Sequence, residues 1–513
     1  MSAVRFATTP PAHRTPGTPQ PRQAPGRPRS RARVLSGVLA LLAGLLLVMP
    51  TLSRTLGGAP DEHALGLPGA ITLAIFLLAV WGWVFTPLDD TLVAFLAAAA
   101  LIVFGALDAE RFFAALGDDT IWLLICACII AAGVASSGLA LRAAAALVSG
   151  ARTPRGLFHR ITAALILTAF AIPATSGRAA LARPVFQALT AALPGRARVL
   201  RGLGLLFPTV ILLSAVGSLL GAGAHLVTSQ LLLTATGEGF SFLQWAILGL
   251  PLAVLSSHLA AELILFRFTK RADRAVRLRV DRAEVQRVAA TPLSGPLSAD
   301  ERRALVLLVT VVLLWCTESL HGLAPAVVAL LGAIAITLPR LGVTTLARAV
   351  KRVPWNLLLF LAATLALGSA LTDTGAATWL GERALAPVSA LGESAGIGFL
   401  LLVIGGSLAA HLVIQSRSAR SAALIPVVIA IAPGFGIDPA AAAFASTAAA
   451  GFCHTLPSSA KPVAMFADPE LGPAAVDPAD LLRLSAWLAP LIFLLVTACS
   501  LWLWPALGLP LFT

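Results

Sequence analysis

Four basic side chains lie where an apolar chain tolerates them poorly. Arg178, Arg417, Arg420 and Lys461 each sit inside a long apolar stretch beside runs of small residues. A cation at bilayer depth costs at least about 2.5–3.5 kcal/mol and ordinarily faces a cavity or a partner. Across the stretches 160–193 and 394–432 the one nearby acid is Glu393, at the border, so no internal counter-ion is evident. An anionic ligand would supply one, and a guanidinium suits a planar carboxylate or an oxyanion. The alternative for Arg178 and Arg420 is bonding to helix carbonyls or to lipid phosphate.

Histidines share these regions. His225 ends the segment SAVGSLLGAGAH (214–225), and His454 sits in GFCHTLPSSAKP (451–462). Either can contact substrate, relay a proton, or be a buried hydrogen-bonded imidazole. His258 and Glu262 are spaced i, i+4, which allows a mutual pair or a proton-carrying role; His411 reads as structural. Cys453 beside His454 is the nearest approach to an enzymatic nucleophile, but no acid is placed to orient it. HExxH, GxSxG and phosphate-loop patterns are absent, so a membrane-embedded enzyme is only a distant alternative.

The elements that would position these groups follow from composition. Of 513 residues, 58% are apolar and 12% charged, with a mean hydropathy of +0.89. Soluble domains carry about 25% charged residues, so a soluble multi-domain enzyme is excluded. The five cysteines lie in apolar stretches and read as buried hydrophobes. A span needs about 20 apolar residues. Eleven stretches qualify: 34–52, 67–86, 89–107, 120–137, 203–233, 240–266, 304–320, 323–339, 355–373, 437–466 and 481–503. The stretches 160–193 and 394–432 are interrupted halfway and read as re-entrant hairpins. The expected fold is therefore an all-α polytopic membrane protein.

With the N-terminus cytoplasmic and both hairpins re-entrant, 27 of the 37 Lys and Arg fall in cytoplasmic segments and three (Arg54, Arg111, Arg383) on the other side. This asymmetry is the positive-inside signature, and it places the protein in a bacterial-type inner membrane. The net charge of +13 is thereby a topology signal, and no nucleic-acid partner is implied. The chain divides into a disordered basic tail (1–33), a first half (34–266), a cytoplasmic helix and linker (267–303), and a second half (304–513).

The halves repeat. ATSGRAALARP (174–184) and SRSARSAALIP (416–426) share Ser176/Ser418, Arg178/Arg420, Ala180/Ala422 and Pro184/Pro426 at an offset of 242. Small-residue turns precede both, ASSGLA at 135–140 and TDTGAA at 372–377, and a broken span follows each. Five crossings separate the hairpins, so the second enters from the opposite face. Inverted repeats with a central site at their interface characterise secondary transporters. Unwound backbone in lipid is tolerated only in protein or beside a wet cavity, so two hairpin tips and two helix breaks should meet at one polar chamber.

At these motifs the chain resembles the divalent anion:sodium symporter family of the ion-transporter superfamily, whose members carry Ser-Asn-Thr at each hairpin tip and a Thr-Pro-Pro-Asn-like helix break. Here Ala174-Thr175-Ser176 and Ser416-Arg417-Ser418 occupy the tips. GSLLGAGAH (217–225) and LPSSAKPV (456–463) resemble the breaks, with His225 and Val463 at the Asn positions, and 118–140 resembles the family's fourth helix. The resemblance implies substrate contacts from Thr175, Ser176, Ser218, Ser416, Ser418 and Ser459 beside the bases, with Ser176 and Ser418 at any sodium site. It also implies elevator-like alternating access and a homodimer. The implied function is secondary transport of di- or tricarboxylates or sulfate, with Na+ or H+ as coupling ion. Arg417 at an Asn position is expected to take the place of one sodium ion, weakening sodium coupling in favour of protons or anion exchange. An arsenite-type or sodium/proton exporter of the same superfamily is the alternative, with Glu262 its candidate carboxylate.

Overall fold

A computed structural model describes residues 65–148, 150–278, 295–385 and 394–513. The basic tail, the expected span 34–52 and linker residues 279–294 lie outside the described residues. Within them the chain is helical and contains no β-strand. Eight helical segments are long and apolar enough to cross a membrane.

The first half runs α1 (Leu67–Phe85), α2 (Asp90–Val103), α3 (Asp119–Ser137), α4 (Leu139–Val148), α5 (Pro154–Ala171), α6 (Thr175–Ala192), α7 (Ala197–Leu213), α8 (Gly223–Thr236) and α9 (Phe242–Phe268). The second repeats the order: α10 (Ala299–Cys316), α11 (Pro325–Thr337), α12 (Trp355–Asp373), α13 (Ala376–Leu385), α14 (Ser394–Ala409), α15 (Arg417–Ile431), α16 (Pro439–Ala449), α17 (Lys461–Phe466) and α18 (Pro478–Ala498). Short helical turns fill the connections.

Local chemistry sets these boundaries. Asp89, Asp118, Ser298, Ser416 and Asp438 cap α2, α3, α10, α15 and α16, their side chains accepting from backbone N–H groups of the first turn. Gly138 (φ 83°) and Gly375 (φ 69°) supply the left-handed turns after α3 and α12. Those two glycines are the centres of the turns ASSGLA and TDTGAA. The expected spans 89–107 and 323–339 form helices of only 14 and 13 residues, because Gly105 turns the chain with a positive φ and Pro325 starts α11 late.

Packing between the halves is reciprocal. Helix α2 packs on α12, and its counterpart α11 on α3. Likewise α8 packs on α15, and α17 on α6. A two-fold relation between the halves produces this exchange. Polar ties reinforce it: Thr228 and Thr447 hydroxyls meet at 2.6 Å, the Arg183 guanidinium meets Asp468 at 2.7 Å, and Arg201 holds the buried Asp480 through Nε and Nη2. Arg142 likewise pairs with the buried Glu301 at 2.7 Å.

The helix breaks carry matching backbones. Residues 214–217 and 219–221 form 3-10 turns before Ala222 (φ −156°, ψ 148°), and 457–459 form one before Ala460 (φ −157°, ψ 145°). Helix α9 lies directly on the first break. A Cβ at Gly249 would stand 2.0 Å from the Val216 carbonyl oxygen, whereas one at Gly398 on α14 would meet nothing within 4 Å. Gly249→Ala should therefore lower stability by about 1–3 kcal/mol and Gly398→Ala should be neutral or stabilising, compared as melting temperatures in detergent.

Candidate functional site

Breaking a helix orphans up to four carbonyls on one side and four N–H groups on the other. The two sets are treated differently here. At the C-terminal end of α7, Arg178 donates to the carbonyls of Ile211 (3.0 Å) and Leu165 (2.6 Å) and to the hydroxyls of Thr168 and Ser214. At the equivalent end of α16, Arg420 donates to the carbonyls of Ala450 (3.2 Å) and Ile414 (3.3 Å). Both arginines are fully buried. Cations suit the negative ends of helices, and these two close them.

The N-terminal ends are left open. Helices α6, α8 and α17 have Ala174, Ala222 and Ala460 at the capping position, none of which has a side chain able to cap. Only α15 is capped, Ser416 accepting from the Ala419 N–H at 3.3 Å. All four starts line one pocket of about 300 Å3, through Ala174-Thr175-Ser176, Ala222-Gly223, Ser416-Arg417-Ser418 and Ala460-Lys461. Ala174 adopts φ 70°, a strained value for a residue with a Cβ, and its N–H reaches the Leu220 carbonyl in the neighbouring break. Gly223 keeps the floor open: a Cβ there would lie 2.6 Å from Leu357 and 3.0 Å from the Ser418 hydroxyl.

Arg417 is half-buried, and its Nε and Nη1 are enclosed without a hydrogen-bond partner among the described residues. Lys461 is exposed at the pocket wall. The expected absence of a counter-ion is corrected here. Asp90 from α2 lines the same pocket, hydrogen-bonds Ser416 and lies near enough to Lys461 for their charges to interact. The acid pair Asp89-Asp90 reads in sequence as a helix start, and Asp89 does serve as the cap; nothing in sequence shows where its neighbour points. Gln415 and Ser458 also line the pocket and were not anticipated.

Of the expected site residues, Thr175, Ser176, Ser416, Arg417, Ser418 and Lys461 meet at this pocket, and Arg178, Ser218, His225, Arg420 and Ser459 do not line it. Ser218 and His225 are buried behind the first break, where His225 Nδ1 bonds the Ser218 carbonyl at 2.9 Å and its ring stacks on Trp245. The Ser459 hydroxyl accepts from Leu456 N–H. His454 is buried beside Cys453, whose backbone N–H donates to its Nδ1. His411 bonds the Leu408 carbonyl and the Thr455 hydroxyl. His258 and Glu262 do not bond each other: both bond His159 of α5, at 2.8 and 2.5 Å, and Arg155 joins Glu262. That partner is a hundred residues away in sequence, so the i, i+4 spacing alone missed it.

The comparisons with known proteins bear on this arrangement. The family described as the sodium:sulfate symporter transmembrane region matches residues 42–509. The chain belongs to this family. A membrane protein of Cupriavidus necator is 26% identical over 424 residues, covering 77% of this chain and 78% of that protein. Two spinach proteins, chloroplastic dicarboxylate transporters 1 and 2, are 26% and 27% identical; the alignments cover 74% and 69% of this chain and 68% and 62% of theirs. The crystal structure of the Alcanivorax borkumensis YdaH transporter shares the fold, with a TM-score of 0.54 at 15% identity over 87% of this chain and all of that one. The resemblance seen at the hairpin tips thus extends over most of this chain.

Three substitutions separate the roles of the arginines and the acid. Arg178→Gln strands buried carbonyls, each worth about 1–3 kcal/mol, and should lower the melting temperature of the ligand-free protein sharply, which Arg417→Gln should not. Asp90→Asn removes one negative charge from the pocket, and calorimetry should find anion affinity raised about tenfold, the equivalent of about 1.4 kcal/mol.

Proposed function

We propose that this protein is a secondary transporter of small anions, di- or tricarboxylates first and sulfate next, working by alternating access in a bacterial-type inner membrane with its N-terminus cytoplasmic. The observation that carries this reading is the convergence of four helix N-termini on one pocket that Arg417 also lines, its guanidinium unpartnered at the enclosed Nε and Nη1. N-terminal N–H groups and the helix dipole together form an anion site. With Arg417 and Lys461 against Asp90, the pocket keeps a net positive charge. Its volume of about 300 Å3 lies at the small end of ligand sites, suited to a compact solute. The spinach relatives, named as dicarboxylate transporters, favour the carboxylate class.

In this reading Thr175, Ser176, Ser416 and Ser418 donate hydroxyl and backbone hydrogen bonds, Arg417 forks onto one carboxylate, and Lys461 meets the other charge. Each hairpin dips into the bilayer and returns to its own side, and the hairpins and broken helices move as one body against the remaining scaffold, in a homodimer. Ser176 and Ser418 are the hydroxyls available to a sodium ion. Neither bears a charge, and Arg417 adjoins the second, so a sodium ion beside it is electrostatically disfavoured. Sodium coupling is accordingly weak, with a proton or a second anion as counter-cargo. The exporter alternative is less well supported: Glu262 lies in the Arg155–His159 cluster, and the acid that does line the pocket, Asp90, is outweighed by two bases.

Uptake of labelled succinate and sulfate into proteoliposomes, with sodium or choline outside, tests this. Saturable uptake should persist in choline, be competed by other dicarboxylates, and fall at least about tenfold in Arg417→Gln and Lys461→Gln. Strict sodium dependence together with unchanged transport by Arg417→Asn would remove the coupling assignment. No uptake of any carboxylate or oxyanion by a folded sample would remove the function itself.

A further inference from the structure

Away from the transport pocket, the start of α7, the end of α9 and the first turns of α18 enclose a second cavity of about 380 Å3, lined by Arg198, Arg201, Arg267 and Arg483 with Phe268 and Trp487. Three carboxylates bear on these four guanidinium groups, Asp480, Asp273 and, through its charge on Arg201, Asp477. Arg201 is held by the buried Asp480, which Arg483 approaches at 3.8 Å, and Arg198 reaches Asp273 at 3.4 Å. Arg267 makes no ion pair among the described residues; its guanidinium lies over the Trp487 ring, 4.1 Å from the centroid. A surplus of positive charge remains, with Arg198 and Arg483 exposed. The surrounding surface is apolar and uncovered, with Phe266, Leu482 and Trp487 between 52% and 66% exposed. Such residues on a helix bundle face acyl chains, and an exposed Trp marks the level of the headgroups. The segments 194–202 and 268–278 belong to the basic, cytoplasmic set, and the adjoining α18 start must lie at the same level.

We infer that this corner is a binding site for the headgroup of an anionic phospholipid. The phosphodiester would sit between Arg198, Arg267 and Arg483, which offer paired N–H donors to its oxygens, while the acyl chains would run along Phe266, Leu482 and Trp487. A basic pocket between helices on the cytoplasmic side is the setting in which acidic headgroups bind. A free oxyanion would satisfy the charges without using the apolar rim, which is the reason to commit to lipid.

The test is the melting temperature of the full-length protein in detergent doped with phosphatidylglycerol, with phosphatidylcholine, or with inorganic phosphate alone. Phosphatidylglycerol should raise it by about 3 °C or more, with little effect from the other two. The shift should vanish in Arg267→Gln/Arg483→Gln and survive in Arg348→Gln/Arg352→Gln, which removes the same charge elsewhere on the same face. Should the first double variant fail to fold, the exposed Arg483→Gln alone should at least halve the shift. An equal shift from inorganic phosphate, or a phosphatidylglycerol effect that survives both Arg483 variants, overturns the assignment. Neither outcome depends on Arg417 or on transport, so this inference and the transport reading fail independently.

Discussion

A helix interrupted inside an apolar protein must dispose of two sets of unsatisfied backbone groups, and this fold is organised around that requirement. It meets it unequally. The carbonyl ends of α7 and α16 are met by two buried arginines, Arg178 spent on carbonyl and hydroxyl oxygens and Arg420 bonding two carbonyls through its terminal nitrogens with Nε left unpartnered. The N–H ends of α8 and α17 open, with those of α6 and α15, onto a shared pocket. An unpaired amide in hydrocarbon costs several kcal/mol, so the open ends need either water or an anion. The proposed transport activity uses the anion.

The same pairing explains why the repeat exists in this form. Each half supplies one hairpin start and one broken-helix start, and neither half alone surrounds a solute. Reciprocal packing of α8 on α15 and of α17 on α6 brings the four together. Alanine at Ala174, Ala222 and Ala460 leaves the N–H groups uncapped, where Ser or Asp would have satisfied them internally. Ala174 holds a strained positive φ, a departure from local preference at one of the four places where the chain turns its backbone to the pocket.

Electrostatic balance distinguishes the two basic regions. In the central pocket, enclosure and a single carboxylate, Asp90, leave Arg417 without a partner. At the α7–α9–α18 corner, the guanidinium groups are more exposed and partly paired, and an apolar rim adjoins them. The first arrangement fits a compact solute and the second a headgroup anchored in the bilayer. The same residue type serves both because the surroundings, wet and closed or half-open to lipid, decide what can neutralise it.

The sequence alone determined the membrane class, the repeated tip and turn motifs and the family, because spans, turns and tip motifs are local patterns of apolarity and small residues. Thr175, Ser176, Ser416, Arg417, Ser418 and Lys461 were legible as a group for the same reason: they flank the breaks. What only the tertiary structure decided is which buried bases are spent and which are free. Arg178 and Arg417 look alike in a linear text, but one is consumed by carbonyls from α5 and α7 while the other, at the pocket lining, keeps two enclosed nitrogens unpartnered. Asp90 and His159 emerged only when distant helices met, since the partner that fixes a charge's role is chosen by packing across hundreds of residues.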